Sequence, residues 1–267
     1  MIRQNTNIPA LWNSQRVELV TGIALLIPLI VMVIERGNSI ILPLGLAGTI
    51  VVFWQFVFAW QKRIIGWDGV ITAVLFILFL PQTVPLWQQG LAVSFGMVMG
   101  DLIFGERGRG FLNPVVVGLA FLLFSFPATT VETSSLPIAM ATAISGTLLL
   151  ATGLLSWRIV VGFLAVVIAL SLELPTTIEW KTVLASCLLP GLVFLIGDPV
   201  AAASTNAGRW IYGGLAGLLV ILLGASGTGT GSLSSIVFAA LLASIFAPLI
   251  DQIIIWVNVR QRARRQI

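Results

Sequence analysis

Residues 40–60 read IILPLGLAGTIVVFWQFVFAW, a run without a single charged side chain. A transmembrane helix needs about 20 consecutive apolar residues to cross the hydrocarbon core of a bilayer, so this stretch alone is long enough. The rest of the chain has the same character, because charged residues make up 9% of it and its mean hydropathy is +1.06. A soluble domain carries about 25% charged residues. The sequence therefore predicts a polytopic membrane protein.

Ten apolar runs follow one another along the 267 residues and leave no room for a soluble domain. We therefore expect a single membrane domain over 1–267, with a cytoplasmic N-terminal segment at 1–16 and a basic cytoplasmic tail at 258–267. Several runs are too short to cross the core and are compatible with half-helices or re-entrant segments. The runs are Val17–Ile34, Ile40–Trp60, Val70–Leu80, Leu86–Phe104, Leu112–Phe126, Leu136–Leu155, Ile159–Leu172, Val183–Ile196, Ile211–Gly224 and Leu233–Val257.

The basic residues indicate an orientation, because cytoplasmic loops of membrane proteins carry an excess of lysine and arginine. With the N-terminus in the cytoplasm and ten alternating spans, only Arg36 and Lys181 of the 14 lysines and arginines lie outside. Both termini are then predicted to be cytoplasmic. The basic tail is expected to contact anionic lipid, and a partner-binding tail is the alternative.

The composition excludes several cofactors. Cys187 is the only cysteine, and there is no histidine. One cysteine forms no intrachain disulfide and holds no iron–sulfur cluster by itself, and the usual haem ligand is absent. If the chain handles electrons, it needs an organic cofactor such as a flavin or quinone. The predicted orientation in the membrane accounts for the excess of lysine and arginine, so we expect no nucleic-acid partner. We assign no metal ligands and no catalytic residues.

Acidic residues near a membrane are costly and are candidates for function. Asp101 and Asp198 end the fourth and eighth runs in similar contexts, each after a glycine, and Asp251 lies in the last run. The polar connectors after the first two aspartates could fold back, so that helix N-termini meet an anionic group such as phosphate. The alternative is that both aspartates cap helices or pair with nearby arginines, which are Arg107, Arg109 and Arg209.

Glycine and proline positions predict local structure. Pro199 lacks an amide hydrogen and favours a helix start, so we expect the backbone after Asp198 to be broken and Asp198 to accept amide hydrogen bonds there. The spacings Gly96-x-x-x-Gly100 and Gly213-x-x-x-Gly217 predict close packing of helices.

Segment 197–209, GDPVAAASTNAGR, resembles the T-D-P-V-x-x-x-x-x-N-x-G-R segment of the NqrB/RnfD family. Upstream, Phe104-Gly105 and FLNP at 111–114 resemble the family's F-G-G-x-G-x-N-x-F-N-P, and LPQTVPLW at 80–87 resembles the segment before it. By these motifs the chain is similar to the membrane subunits of the sodium-pumping NADH:quinone reductase and of the Rnf complex.

The resemblance implies an all-α fold of about ten transmembrane helices in two five-helix repeats, similar to urea transporters, in a prokaryotic inner membrane. It implies a subunit of an electron-transport complex, assembled with other membrane subunits, in which flavin (FMN or riboflavin) relays electrons in step with sodium or proton movement. Carried over residue by residue, the implied cofactor-binding candidates are Asn113, Pro114, Asp198, Thr205, Asn206 and Arg209.

One departure concerns the cofactor. The family attaches FMN through a phosphoester to a threonine in an S-x-A-T-P-L segment after the fifth span, where this chain has ETSSLPI at 132–138. Thr133, Ser134 and Ser135 carry hydroxyls, but none stands where the threonine is expected. We therefore predict no covalently attached FMN. Two alternatives stay open: a cofactor-free structural subunit of a larger complex, and a small-solute channel or transporter of the same fold.

Overall fold

The structure is a computed structural model that describes residues 14–62, 68–103, 112–127, 135–173, 187–225 and 231–265. Within these ranges the regular elements are helices, and no β-strand occurs there. Each apolar run of the sequence overlaps one of these helices. Their bounds are α1 Ser14–Arg36, α2 Ile41–Lys62, α3 Asp68–Phe79, α4 Leu86–Met97, α5 Pro114–Ser125, α6 Leu136–Ala151, α7 Trp157–Glu173, α8 Leu188–Pro190, α9 Asn206–Leu223 and α10 Leu233–Arg265.

Three irregular helical turns extend this set. A 3₁₀ turn, Gly37–Ile40, joins α1 to α2. The π-helical turn Val98–Leu102 continues α4, and a second π-helical turn, Gly191–Ile196, continues α8. The chain between Ile196 and Asn206 is not helical, so the predicted break after Asp198 is confirmed.

Within the described residues, three stretches are long and apolar enough to cross a membrane, namely Val17–Phe58, Asn206–Leu223 and Leu233–Gln261. The first of these covers most of α1 and of α2. Other apolar helices are shorter: at 1.5 Å per residue, the 12 residues of α3 and of α5 each extend about 18 Å. The hydrocarbon core is about 30 Å thick, so neither of these two helices crosses it alone.

The helices pack in two groups that share two seams. In the first group α1 contacts α3, α2 contacts α3 and α4, and α5 contacts α3 and α4. In the second, α9 contacts α7 and α10, while α6 and α10 contact α8 or the π-helical turn that follows it. The seams are the pairs α1–α6 and α5–α10. Ser145 of α6 strengthens the first seam by donating from Oγ to the Ala24 carbonyl of α1 at 2.6 Å.

Glycines lie where neighbouring helical segments approach closely, as the spacing predicted. A Cβ placed on Gly100 would lie 2.5 Å from Cα of Pro114, so the π-helical turn that continues α4 approaches the start of α5 through bare backbone. In the second group, a Cβ on Gly217 of α9 would lie 2.8 Å from the Phe163 carbonyl oxygen of α7. By contrast, a Cβ on Gly45 of α2 would meet nothing within 4 Å.

Substituting Gly100 with alanine is expected to lower the free energy of unfolding by about 1–3 kcal/mol, because the added methyl forces the π-helical turn after α4 away from the start of α5. Gly45→Ala is the matched control. It should be neutral or stabilising by up to about 1 kcal/mol, because alanine restricts the unfolded chain and meets open space in the fold. Unfolding of both purified variants in detergent measures the difference. Equal midpoints for the two would contradict the close approach of α4 and α5.

Candidate functional site

Asn113 and Asp198 form a buried junction between the two helix groups. They are 85 positions apart in the chain, yet Nδ2 of Asn113 donates to Oδ2 of Asp198 at 2.9 Å. The two residues are only 4% and 6% exposed. Asn113 immediately precedes α5, and Asp198 follows the π-helical turn after α8. Two of the segments that carry the family resemblance therefore meet at one hydrogen bond.

Local sequence explains how Asn113 presents its amide. Asn113 is the N-cap of α5, and its Oδ1 accepts a hydrogen bond from the Val115 amide at 2.9 Å. Pro114 suits the first helical position because it needs no amide acceptor there. With Oδ1 used as the cap, the Nδ2 group points away from α5 towards Asp198, and it also lies 3.5 Å from the Phe194 carbonyl oxygen.

The Asp198 carboxylate is also hydrogen-bonded to the backbone of the turn that follows it. Its Oδ1 accepts from the Val200 amide at 3.3 Å, across Pro199. The expectation that Asp198 accepts amide hydrogen bonds is thus confirmed, with the Asn113 side chain as a donor that the sequence did not indicate. Of the arginines considered as partners, Arg209 donates from Nε to the Ala203 carbonyl at 3.3 Å, while Arg107 and Arg109 lie outside the described residues.

Side chains from other helices satisfy the carbonyls at the end of the second π-helical turn. The last carbonyls of a helix have no partner within it. Tyr212 of α9, which is fully buried, donates its hydroxyl to the Ile196 carbonyl at 3.1 Å. The Tyr212 hydroxyl at the Ile196 carbonyl and the Asn113 amide at the Phe194 carbonyl together hold the π-helical turn between α5 and α9.

A second polar cluster lies where the connector enters α9. The Asp251 carboxylate of α10 accepts from the amide and hydroxyl of Ser204 at 2.7 and 2.8 Å. It accepts from the amide and hydroxyl of Thr205 at 3.0 and 2.6 Å. The Thr205 hydroxyl also accepts from the Gly208 amide at 3.1 Å, as the N-cap of α9. Asp251 therefore anchors the start of α9 to α10.

The candidates thus separate into two clusters joined by the connector 198–205. Asn113, Pro114 and Asp198 form one, and Thr205 belongs to the other. Asn206 is the exposed first residue of α9. Asp101 is buried in the π-helical turn after α4. The described residues contain no group of three or more His, Cys, Asp or Glu side chains that could hold a metal ion.

The hydroxyl of Ser135 is engaged far from these clusters. Its Oγ donates to Oε2 of Glu35 and accepts from the Ile138 amide at 3.4 Å, as the N-cap of α6. Thr133 and Ser134 lie outside the described residues. When the proline of the family's S-x-A-T-P-L segment is matched to Pro137, the threonine's place falls on Leu136, which has no hydroxyl.

Ser135 and the Asn113–Asp198 junction lie at opposite ends of the bundle. Next to Glu35, Arg36 donates from Nη1 to the Leu80 carbonyl at 3.4 Å, at the end of α3. Trp87, the second residue of α4, follows the link from α3 to α4, and its ring contacts that of Phe126 directly after α5. Asn113 stands at the start of α5, so the length of this helix separates the two places.

Comparison with known proteins agrees with these motifs. The sequence model of the "NQR2, RnfD, RnfE family" matches residues 2–137 and 129–260. The B subunit of a Na(+)-translocating NADH-quinone reductase from Ectopseudomonas mendocina is 33% identical over 87% of this chain and 71% of its own length. The proteins of the same name from Pseudomonas aeruginosa (32%, covering 86% and 70%) and Yersinia pestis (33%, covering 80% and 65%) are similar to it.

These matches cover both helix groups and the connectors that carry the Asn113–Asp198 and Thr205–Asp251 contacts. The chain belongs to the NQR2, RnfD, RnfE family.

Proposed function

We propose that this chain is an integral membrane subunit of an Rnf- or Nqr-like complex in which electron transfer is coupled to ion movement. The Asn113–Asp198 hydrogen bond is the observation that carries the proposal. It joins two segments that resemble the family's motifs. Burying a carboxylate is costly unless the group is hydrogen-bonded or paired, and an acidic residue kept in such a place is a candidate for function. The relatives' names supply the reaction class, sodium-translocating NADH–quinone reduction.

The proposed architecture is two five-helix repeats, as in urea-transporter-like folds. The helix contacts support it, because shifting every helix number by five reproduces four of them. The contacts α1–α3, α2–α4, α3–α5 and α4–α5 correspond to contacts α6–α8, α7–α9, α10 with the π-helical turn after α8, and α9–α10. The seams α1–α6 and α5–α10 map onto themselves. In this scheme Asp101, in the π-helical turn after α4, and Asp198, after α8, are not at equivalent positions.

We propose that the Asn113–Asp198 end of the bundle faces the cytoplasm, in a prokaryotic inner membrane. The contacts agree with alternating spans, since Glu35 meets Ser135 at one end and Thr205 meets Asp251 at the other. The lysine and arginine pattern then makes the second end cytoplasmic.

A reporter fused after the last residue should be active only if it works in the cytoplasm. Activity of a reporter that needs the outer side would reverse this orientation.

Any flavin on this chain is proposed to be FMN or riboflavin bound without a covalent bond. Ser135 does not suit a phosphoester, because its hydroxyl hydrogen is given to Glu35, and a phosphate in its place would face a carboxylate. Leu136 cannot form one. The residues proposed to contact a noncovalent flavin are those of the motifs, namely Asn113, Pro114, Asp198, Thr205, Asn206 and Arg209. The second candidate function, a cofactor-free structural subunit, is favoured by the same engagement of Ser135.

The denatured chain is therefore expected to show no flavin fluorescence on a gel and no mass increase of one FMN. A covalent flavin survives denaturation, whereas a bound one is released and appears in the absorption spectrum of the supernatant. The Ser135→Ala, Ser134→Ala and Thr133→Val variants are the controls. Fluorescence on the wild-type chain that disappears in one of these variants would overturn the prediction and identify the attachment residue.

A further inference from the structure

The side chain of Tyr212 links helix α9 to the segment that carries Asp198. Tyr212 is the only tyrosine of the chain, and it is fully buried. Its hydroxyl donates to the Ile196 carbonyl at 3.1 Å, across 16 positions of the sequence. A buried hydroxyl is costly unless it is hydrogen-bonded. Phenylalanine would fill nearly the same space without the bond, so the hydroxyl has a role that the ring alone does not supply.

The Ile196 carbonyl lies two residues before Asp198, at the end of a closely packed segment. Ile196 is the last residue of the second π-helical turn, in which every residue is buried. Gly197 follows, and a Cβ on it would lie 2.8 Å from the Leu192 carbonyl oxygen. The backbone between Ile196 and Asp198 therefore has little room to adjust. By holding the Ile196 carbonyl, Tyr212 also sets the place of Asp198.

Helix α9 is itself fixed to its neighbours on both sides of Tyr212. One turn earlier, a Cβ on Gly208 would lie 2.7 Å from Oδ1 of Asp251 in α10. Directly after Tyr212, a Cβ on Gly213 would lie 3.0 Å from Cα of Ile159 in α7. Contacts this close define the position of α9 at this level. The Tyr212 hydroxyl is therefore presented from a rigid support.

The Tyr212 bond also closes a ring of contacts around the connector. At one end of the connector Asp198 accepts from Asn113, and at the other end Thr205 donates to Asp251. Tyr212 lies on α9, the helix that Thr205 caps. The two polar clusters are thus joined twice, once through the connector and once through the Tyr212 hydroxyl.

We propose that Tyr212 is a positioning residue for the Asp198 carboxylate. Its hydroxyl holds the Ile196 carbonyl so that the carboxylate meets the Asn113 amide, and the geometry of this buried pair follows the position of α9. A displacement of about 1 Å caused by a distant mutation can slow a reaction by about 100-fold. The inference rests on the proposed function in that Asp198 acts in electron transfer or in its coupling to ion movement.

Tyr212→Phe tests this role, and Ser145→Ala is the matched control. Ser145 is also fully buried, and its hydroxyl also donates to a carbonyl of another helix, at the seam between α1 and α6. The first readout uses the full chain in detergent and needs no other subunit. The unfolding equilibrium constant is measured with and without Asn113→Leu in three backgrounds: wild type, Tyr212→Phe and Ser145→Ala.

In the wild-type and Ser145→Ala backgrounds, Asn113→Leu should raise the unfolding constant about 100-fold, because the cap of α5 and the donor to Asp198 are both lost. In the Tyr212→Phe background the increase should stay below about tenfold, because only the cap remains to be lost. An increase of about 100-fold in that background too would show that Asp198 meets Asn113 without Tyr212, and would overturn the proposal.

The second readout is the electron-transfer rate of the assembled complex. Tyr212→Phe should lower this rate at least about fivefold, whereas Ser145→Ala should change it less than about twofold. In the Asp198→Asn background, Tyr212→Phe should lower the rate by less than about a further twofold, because two residues that act as a unit are not additive.

Equal rates for Tyr212→Phe and Ser145→Ala would overturn the proposal, and so would a full effect of Tyr212→Phe in the Asp198→Asn background. In either case a complex that still assembles and oxidises NADH leaves the proposed function standing. A chain that purifies without other subunits contradicts the proposed function instead, and the unfolding measurements on the chain alone then decide whether Tyr212 positions Asp198.

Discussion

Replacing Asn113 with leucine should lower the free energy of unfolding by about 3 kcal/mol. The change removes the N-cap of α5, which contributes about 1 kcal/mol. It also leaves Asp198 buried without the donor at 2.9 Å, and a buried charged group that loses a partner costs a further 1–3 kcal/mol or so. Unfolding of the purified variant in detergent, followed by circular dichroism, measures the loss. An unchanged midpoint would show that the junction does not hold the two helix groups together.

A reciprocal exchange separates the structural role of this pair from a functional one. Combining Asn113→Asp with Asp198→Asn keeps a cap acceptor before α5 and one donor–acceptor pair across the junction, so stability should recover most of the loss seen with leucine. Asp198→Asn alone should cost only about 1 kcal/mol. If the carboxylate acts at its own position, the electron-transfer rate of the complex stays low in both folded variants. Wild-type rates in assembled Asp198→Asn would reduce Asp198 to a structural residue.

Replacing Asp251 with alanine is expected to cost about 2 kcal/mol and to loosen the connector before α9. Four donors of Ser204 and Thr205 lose their acceptor. Hydrogen bonds to a charged group are worth about 1.5–3 kcal/mol each when buried, but Ser204 is exposed and water replaces part of the loss. Hydrogen exchange should show the amides of Ser204 and Thr205 exchanging faster, while amides in the middle of α9 keep their protection.

The matched control is Ser204→Ala, which removes one exposed donor and leaves the Thr205 contacts intact. Its effect should stay below about 0.5 kcal/mol. Gly208→Ala should resemble Asp251→Ala, because a Cβ at Gly208 would lie 2.7 Å from Oδ1 of Asp251. If Ser204→Ala and Asp251→Ala have the same effect, then Thr205 and the cap of α9 do not depend on Asp251.

Hydropathy located the helices of the described residues but not all their ends. The apolar run at 211–224 underestimated α9, which begins at Asn206, because the polar first turn is held by the Thr205 cap rather than by apolar burial. The run at 233–257 underestimated α10, which continues to Arg265. Arginine is a good helix former, so charge ends the apolar run without ending the helix.

The site was predictable as a set of residues and not as a set of contacts. The expected cost of an acid near the membrane singled out Asp198 and Asp251, and Asn113 was found through the family resemblance. Their partners were out of reach, because a single sequence contains no information on which residues 85 positions apart meet. The same holds for Ser135, whose cap role is local and visible in the sequence, whereas its bond to Glu35 spans 100 positions.

The subunit role itself is tested most directly by purifying the tagged full chain from native membranes in mild detergent and determining what accompanies it. A membrane subunit of an Rnf- or Nqr-like complex should migrate on a native gel with other subunits in fixed ratios, and the band should oxidise NADH with quinone or an artificial acceptor. A chain that migrates alone, with no other subunit and no electron-transfer activity in the preparation, would contradict the proposed function.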